Sequence, residues 1–326
     1  MQIVRDIKEF EKLRGDFCLT IGNFDGVHVG HQKILSAAKK ASEKGNLLLA
    51  AATFEPHPVS IINPEKTPER LTTLALKGRL LESFEVDYLF LMKADRKLLN
   101  LSPQDFVKKV IVKSIGPKIV VEGANFRFGS NRSGNIDTLK NLGAEYGFEI
   151  IAVEQSSVQL SDSKAVNVSS TLIRNLLIEG KVSDALTALG RPYRLIGKVV
   201  AGKGKGKKLG FPTANIEKIN QLIPADGVYA AVAAFGDREI EICGRPAQIP
   251  SAISIGRAST FGEYGPMLVE AHLLAKNVEN LYDKWMAIDF IEKIRDQKKF
   301  ASEKELADQI AEDCSKIRHI LPHPKI

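Results

Sequence analysis

At 326 residues the chain is longer than one ordinary domain and shorter than three, which predicts two domains, each with its own core. Hydrophobic residues make up 44% and charged residues 26%, and no repeat or low-complexity tract interrupts them, which excludes disorder and repeat architectures. The net charge of +7, from 46 Lys and Arg against 39 Asp and Glu, is concentrated in part at Lys203, Lys205, Lys207 and Lys208.

The N-terminal stretch MQIVRDIKEFEKLRGDF is charged from its fifth residue and lacks the apolar centre of a signal peptide. The longest apolar run, Leu47 to Phe54, is too short to span a bilayer. Three cysteines, Cys18, Cys243 and Cys314, are odd in number and too widely spaced for zinc, which argues against a disulfide framework. A soluble protein of the reducing cytoplasm, a monomer or weak homo-oligomer with no membrane partner, is the expectation.

Up to Leu189, candidate strands at Phe17 to Ile21, Leu47 to Phe54, Tyr88 to Leu91, Ile119 to Val121 and Glu149 to Val153 alternate with helical patterns. The helices are expected at Lys33 to Lys44, Ala75 to Phe84 and Pro103 to Ile111. Unbroken apolar strands separated by helices imply an α/β fold with a parallel sheet covered on both faces. Ligands of such sheets sit at the carboxyl ends of the strands. Two short helices between Ser170 and Leu189 close this half, and Gly190-Arg191-Pro192 marks the boundary, giving domains 1–189 and 190–326.

Beyond Pro192 the pattern changes. Tyr193 to Val200, Gly227 to Phe235, Pro250 to Ile255, Met267 to Leu274 and Trp285 to Ile291 read as strands with no helix between them, which predicts a small antiparallel barrel. Ser302 and Glu305 form a capping box, and Leu306, Ile310, Ile317 and Leu321 line one face of a closing helix.

The strand ending at Ile21 runs into GNFDGVHVGH, Gly22 to His31, and a helix opens at about Gly30 or His31. Strand, glycine turn and helix N-terminus together make a phosphate site, because unpaired backbone N–H groups and the positive end of the helix dipole face the anion. Gly22 and Gly26 permit the turn, and Gly30 lets the backbone come close. His28 and His31 are three residues apart, so both rings can enter one pocket. Adenylyl transfer needs donors aimed at the α-phosphate and the departing pyrophosphate, and two imidazoles suit it. The motif holds no partnered Ser, Cys or Lys nucleophile, which predicts direct in-line displacement by an already ionised phosphate oxygen. Two plainer readings are capping histidines and a metal site, for which Asp25 is the only near third ligand.

GNFDGVHVGH resembles the HxGH element of the nucleotidyltransferases, and GNFDGVHVGHQKIL is similar to the bacterial bifunctional riboflavin kinase/FMN adenylyltransferase (FAD synthetase) family. VEGANFRFG, Val121 to Gly129, resembles that family's second nucleotide segment, and VNVSSTLIR, Val166 to Arg174, its ISSTxxR signature. The resemblance implies a Rossmann-like nucleotidyltransferase domain in which Gly22, Asn23, Phe24, Asp25, Gly30, Asn125, Ser170, Thr171 and Arg174 bind ATP. Physically, Ser169 or Ser170 can cap the helix that Thr171 opens, with Arg174 on its first turn. TFEPHP, Thr53 to Pro58, has the family's look and implies His57 and Pro58 in the flavin pocket, although the prolines could simply shape a loop.

In the second half, AGKGKGKKLGFPTAN, Ala201 to Asn215, has three readings: a nucleic-acid patch, a solvated basic loop, or a phosphate-handling loop whose lysines alternate with glycines. No aromatic residue interleaves with the lysines, so nucleic acid ranks last. Thr213 and Asn215 are hard oxygen ligands suited to Mg2+. PTAN looks like the riboflavin kinase signature. By that resemblance Gly202, Gly204, Lys207, Gly210, Thr213 and Asn215 hold Mg-ATP, Glu270 in LVEAHLL is the catalytic base, and Arg295 helps cover the flavin. From alternation alone, between Val269 and Ala271, Glu270 reads as a solvent-facing strand residue.

The chain departs from the family pattern at Ala201, Lys207, Ser259-Thr260-Phe261 and Leu281-Tyr282-Asp283, and in a longer insertion through Pro250. The implied function is FAD synthesis from riboflavin, FMN and ATP in two steps. The alternatives are an adenylyltransferase whose barrel only binds flavin, or a nucleic-acid or regulatory binder on a degenerate nucleotide fold.

Overall fold

The computed structural model describes residues 1–13, 15–201, 210–257, 267–275 and 281–321. They divide into two compact units, Met1–Pro68, Lys77–Val158 and Ala165–Val168 in the first, and Glu69–Leu76, Gln159–Lys164 and Ser169–Ile326 in the second.

The first unit is built from β1 (Gln2–Val4), α1 (Ile7–Phe10), β2 (Phe17–Ile21), α2 (Val29–Gly45), β3 (Leu48–Glu55), α3 (Pro58–Ile62), α4 (Leu74–Glu82), whose first residues fall in the second unit, β4 (Tyr88–Lys93), α5 (Arg96–Leu99), α6 (Pro103–Phe106), β5 (Ile119–Gly123), α7 (Ile136–Tyr146) and β6 (Glu149–Val153). Six strands form one sheet in the order β1-β4-β3-β2-β5-β6, and every pairing is parallel. Both faces are covered, as the unbroken apolar runs predict. Leu19, Ala50 and Ala52 join the core on one side, while Cys18 donates to the Ala38 carbonyl of α2. From β2 the chain steps to β3 on one side and later to β5 on the other. The carboxyl ends of β2 and β5 therefore flank the topological switch point, where such sheets bind ligands.

Two expectations change here. The edge strand β1 escapes a reading based on apolar runs, because only Val4 of its three residues is buried. The helix expected over Pro103 to Ile111 is α6 followed by a π-helix over Val107–Ile115. Wide-turn bonds mark it: Gly116 N–H donates to the Ile111 carbonyl at 2.8 Å and Ser114 Oγ to the Lys109 carbonyl at 3.0 Å. Its buried residues are Val107, Val110, Ile111, Ser114 and Ile115.

A two-stranded ribbon, β7 (Ser157–Gln159) and β8 (Ala165–Asn167), precedes α8 (Ser170–Ile178) and α9 (Val182–Leu189). The second unit then continues through β9 (Tyr193–Val200), β10 (Ala214–Glu217), β11 (Gly227–Gly236), α10 (Glu239–Gly244), β12 (Ile249–Arg257), β13 (Met267–Leu273), β14 (Trp285–Arg295) and α11 (Glu303–Ile320). Six strands close a barrel in the order β10-β13-β12-β11-β14-β9, antiparallel throughout.

The insertion before Pro250 contains α10, held by Arg194. Its guanidinium pairs with Asp289 at 2.6 Å and donates to the carbonyls of Ile242, Cys243 and Arg245 at the end of that helix. Of the expected capping box on α11, Ser302 Oγ accepts from Glu305 N–H at 3.2 Å. Glu305 reaches back to Ala301 N–H rather than to Ser302. In the Leu281-Tyr282-Asp283 stretch, Asp283 occupies the left-handed region at φ 65° and pairs with Lys198 at 3.0 Å. Among the described residues no helix is long and apolar enough to cross a membrane.

Candidate active sites

The motif Gly22 to His31 links the carboxyl end of β2 to α2. Gly22 N–H donates to the Ala52 carbonyl at 2.9 Å. Phe24, Gly26 and Val27 then take positive φ values of 46°, 83° and 40°. For non-glycine residues this region is costly and persists where surroundings over-determine it. Here Phe24 and Val27 are each 1% exposed, so core packing holds both. The helix opens at Val29, one turn position earlier than the glycine pattern suggests, because His28 itself is the N-cap.

His28 Nδ1 accepts from His31 N–H at 3.3 Å. An accepting Nδ1 carries no proton, so the neutral ring bears its hydrogen on Nε2. The rings of His28 and His31 stack at 3.7 Å between centroids and 14° between planes, and Phe24 meets His31 edge-on at 5.3 Å. Gly30 sits close under this stack: a Cβ there would lie 3.2 Å from His28 Nδ1 and press on the ring. The plainer capping reading is thus correct for His28 as far as it goes, and the cap also aims the ring.

Asn125 lies just past β5, beside the switch point, with its Oδ1 over Gly123, where a Cβ would come within 3.0 Å of it. His57 caps α3 through Nδ1, which accepts from Val59 N–H at 3.2 Å, and its Nε2 is 3.2 Å from Asn23 Nδ2. Pro58 is the first residue of α3, where its fixed φ suits a helix start. TFEPHP therefore does shape a loop, and that loop abuts the GNFDG turn.

Three residues at this turn were not expected. Glu122 on β5 is 2% exposed and accepts from Ile21 N–H at 2.5 Å. Burial drives its carboxyl well above the ordinary range, and the Ile21 N–H opposes this only in part. Lys77 on α4 is 7% exposed and donates to the Asn23 carbonyl at 2.7 Å. The fully buried Thr53 donates to the same carbonyl at 3.1 Å. VEGANFRFG, which contains Glu122, and TFEPHP, which opens at Thr53, carried a signal in the sequence, and Lys77 had none.

Ser170, Thr171 and Arg174 belong to the second unit. Ser169 is the cap of α8, its Oγ accepting from Leu172 N–H at 3.1 Å. The helix opens at Ser170 instead of Thr171, and Arg174 Nε donates to the Glu69 carbonyl at 2.6 Å.

In the barrel, β10 was missed because its four residues directly follow the glycine-lysine loop and FPT. It sets Asn215 opposite Glu270, and β12 sets Ser254 opposite Glu270 on the other side. Val269 and Ala271 are buried in the barrel at 2% and 1% exposure, so alternation turns Glu270 and Asn215 together to its outer face. Glu270 is only partly exposed there. His272, two residues on, donates from Nδ1 to the Pro212 carbonyl at 2.8 Å and meets Phe211 edge-on at 5.5 Å, fixing the loop that carries Thr213 and Gly210. Gly210 has φ 84°. Gly202, Gly204, Lys207 and Ser259-Thr260-Phe261 lie outside the described residues.

Arg295, at the end of β14, donates to Asp313 of α11 from Nη2 at 2.8 Å and from Nε at 3.0 Å, with Asp313 2% exposed. Its Nη1 donates to the Asp296 carbonyl. The guanidinium ties the closing helix to the barrel. No group of three or more His, Cys, Asp or Glu able to hold a metal occurs among the described residues.

The FAD synthetase family matches residues 11–172, and the riboflavin kinase family matches residues 189–321. The bifunctional riboflavin kinase/FMN adenylyltransferase of Buchnera aphidicola subsp. Schizaphis graminum is 35% identical over 321 residues, 98% of each chain. The protein of the same description from Escherichia coli strain K12 is 36% identical over 315 residues, 96% of each. A crystal structure from Streptococcus pneumoniae, described as a macrolide-efflux protein, superposes with a TM-score of 0.81 at 26% identity, covering 97% of this chain and 98% of that one.

Proposed function

The chain belongs to the bifunctional riboflavin kinase/FMN adenylyltransferase family, and from that membership we propose the work of its two sites. Residues 190–326 phosphorylate riboflavin to FMN, and residues 1–189 adenylylate FMN to FAD with release of pyrophosphate. The observation that carries the adenylyltransferase assignment is the stacked His28 and His31 pair at the N-terminus of α2.

In adenylyl transfer an FMN phosphate oxygen attacks the α-phosphorus of ATP. The P–O bond forms as the bond to the bridging oxygen of pyrophosphate breaks. Charge builds on the leaving group, and the His28 Nε2–H and the His31 ring serve as donors to it, each acting most strongly in the transition state. The α2 N-terminus adds backbone N–H groups and its dipole. Gly22, Asn23, Phe24, Asp25, Gly30 and Asn125 shape the ATP site. His57 and Pro58 border the FMN.

In the kinase step Glu270 takes the proton of the terminal ribityl hydroxyl while its oxygen attacks the γ-phosphorus of ATP and ADP departs. The register of Asn215 against Glu270 supports this reading, since it sets a metal ligand beside the base. Thr213 Oγ and Asn215 Oδ1 are neutral oxygen donors, and so small a set fits Mg2+, which keeps several waters and takes phosphate oxygens. Bound there, Mg2+ would neutralise polyphosphate charge. Gly202, Gly204, Lys207 and Gly210 wrap the phosphates, and Arg295, through its hold on α11, positions the flavin cover. Under this reading the compartment is the cytoplasm, the protein is a monomer or weak homo-oligomer, and neither nucleic acid nor membrane is a partner.

The test supplies purified protein and Mg-ATP with either riboflavin or FMN and separates products by chromatography. Riboflavin should yield FMN and then FAD, and FMN should yield FAD. FAD from FMN alone would remove the kinase, and no flavin product from either would remove both assignments.

A further inference from the structure

The structure buries an ammonium group behind the GNFDG turn. Lys77 is 7% exposed, and lysines are almost never so buried unless something engages the charge. Its Nζ donates to the Asn23 carbonyl at 2.7 Å and lies 3.4 Å from Thr53 Oγ1, which donates to the same carbonyl.

That carbonyl belongs to the peptide joining Asn23 to Phe24. In a trans peptide the C=O and the N–H point in opposite directions. Drawing the Asn23 oxygen toward Lys77 and Thr53 therefore turns the Phe24 N–H the other way. The left-handed Phe24 makes this peptide the pivot of the turn. The remaining tethers hold the flanks: Glu122 receives Ile21 N–H, Ala52 receives Gly22 N–H, and the Asn23 amide meets His57. Lys77 supplies the one ammonium among these tethers. A desolvated positive charge acts over longer range than a solvated one.

We propose that Lys77 is a positioning residue for adenylyl transfer: its ammonium orients the Asn23–Phe24 peptide so that the Phe24 N–H donates to the triphosphate, and it places fixed positive charge behind that anion. The inference rests on the assignment of Gly22 to His31 as the ATP site.

Lys77→Met and Lys77→Arg are made in the full-length chain, with His31→Ala beside them. Each is assayed for FAD formation from FMN and for FMN formation from riboflavin, with thermal melting. In Lys77→Met, kcat for FAD formation should fall about 10- to 100-fold, somewhat less than for loss of a direct transition-state donor. Its KM for FMN, its kinase rate and its melting temperature should stay near wild type, because the change removes a desolvated charge while Thr53 still donates to the Asn23 carbonyl. Lys77→Arg should recover at least about a third of the rate. Should Lys77→Met fail to fold, Lys77→Arg decides: adenylyl transfer below about a tenth of wild type with kinase intact overturns the proposal. Unchanged FAD formation in Lys77→Met also overturns it, as does equal loss of both activities in a folded variant. If His31→Ala retains FAD formation, it is the site assignment that fails; if His31→Ala is inactive and Lys77→Met is not, only the role of Lys77 falls.

Discussion

Replacing His28 separates two functions carried by one ring. Its Nδ1 caps α2 at φ −72° and ψ 171°, while its Nε2–H is assigned to the departing pyrophosphate. Serine is a good N-cap in that extended conformation and alanine is not, yet neither reaches the phosphate. The two variants lose the same stacking on His31 and leave nearly the same space, so their difference isolates the cap. A lost N-cap costs about 1 kcal/mol, which for a unit of this size lowers Tm by roughly 2–4 °C. His28→Ala should therefore melt about that far below His28→Ser. Both should lose about 10²–10³-fold in kcat for FAD formation, or about 3–4 kcal/mol of transition-state stabilisation. FMN formation, measured on the same samples, should be retained in both. Calorimetry and a pyrophosphate-release assay read the two effects independently. FAD formation in His28→Ser within about threefold of wild type would refute the reasoning and leave His28 as a cap alone.

Glu270→Gln keeps the size of the side chain and removes the base, so FMN formation should drop about 10²–10⁴-fold while FAD formation from supplied FMN persists; equal loss of both would contradict two separate sites. For Glu122, burial raises the carboxyl pKa. The folded state then holds a proton that the unfolded chain releases, so its stabilising contribution is complete below the ordinary carboxylate pKa and declines as pH rises through the folded value. Glu122→Gln keeps an oxygen for Ile21 N–H, and urea unfolding should show less loss of stability toward alkaline pH than in wild type. Removing one partner of the buried Arg295–Asp313 pair, as in Asp313→Asn, should cost about 3–5 kcal/mol, read as a drop in the urea midpoint; Arg295→Met combined with Asp313→Leu should recover most of it.

The fold class was legible before the structure because burial repeats locally. Leu19, Ala50 to Ala52 and Val120 lie in unbroken apolar runs, which only a sheet covered on both faces accommodates, and the helix between each pair of runs makes that sheet parallel. The barrel was legible in the same way, from Tyr193 to Val200 and Gly227 to Phe235 without an intervening helix. GNFDGVHVGH marked its own site, since a glycine turn before a helix start is a local arrangement.

What local pattern could not decide was everything that depends on a distant partner. Alternation around Glu270 turned it outward, but only the pairing of β10 with β13 put Asn215 opposite it, across 55 positions of sequence. The π-helix at Val107–Ile115 left no mark in the sequence, because its buried residues keep the i, i+3, i+4, i+7, i+8 spacing of an α-helix. Nothing local marked Lys77 or Glu122 as buried, because a sequence shows what burial would cost a charged side chain and not which backbone group it meets. The long apolar strands and the phosphate motif follow from the order of residues alone; the buried Lys77 and Glu122 at its turn, the one donating to the Asn23 carbonyl and the other accepting from Ile21 N–H, required the tertiary fold to bring α4 and β5 to the end of β2.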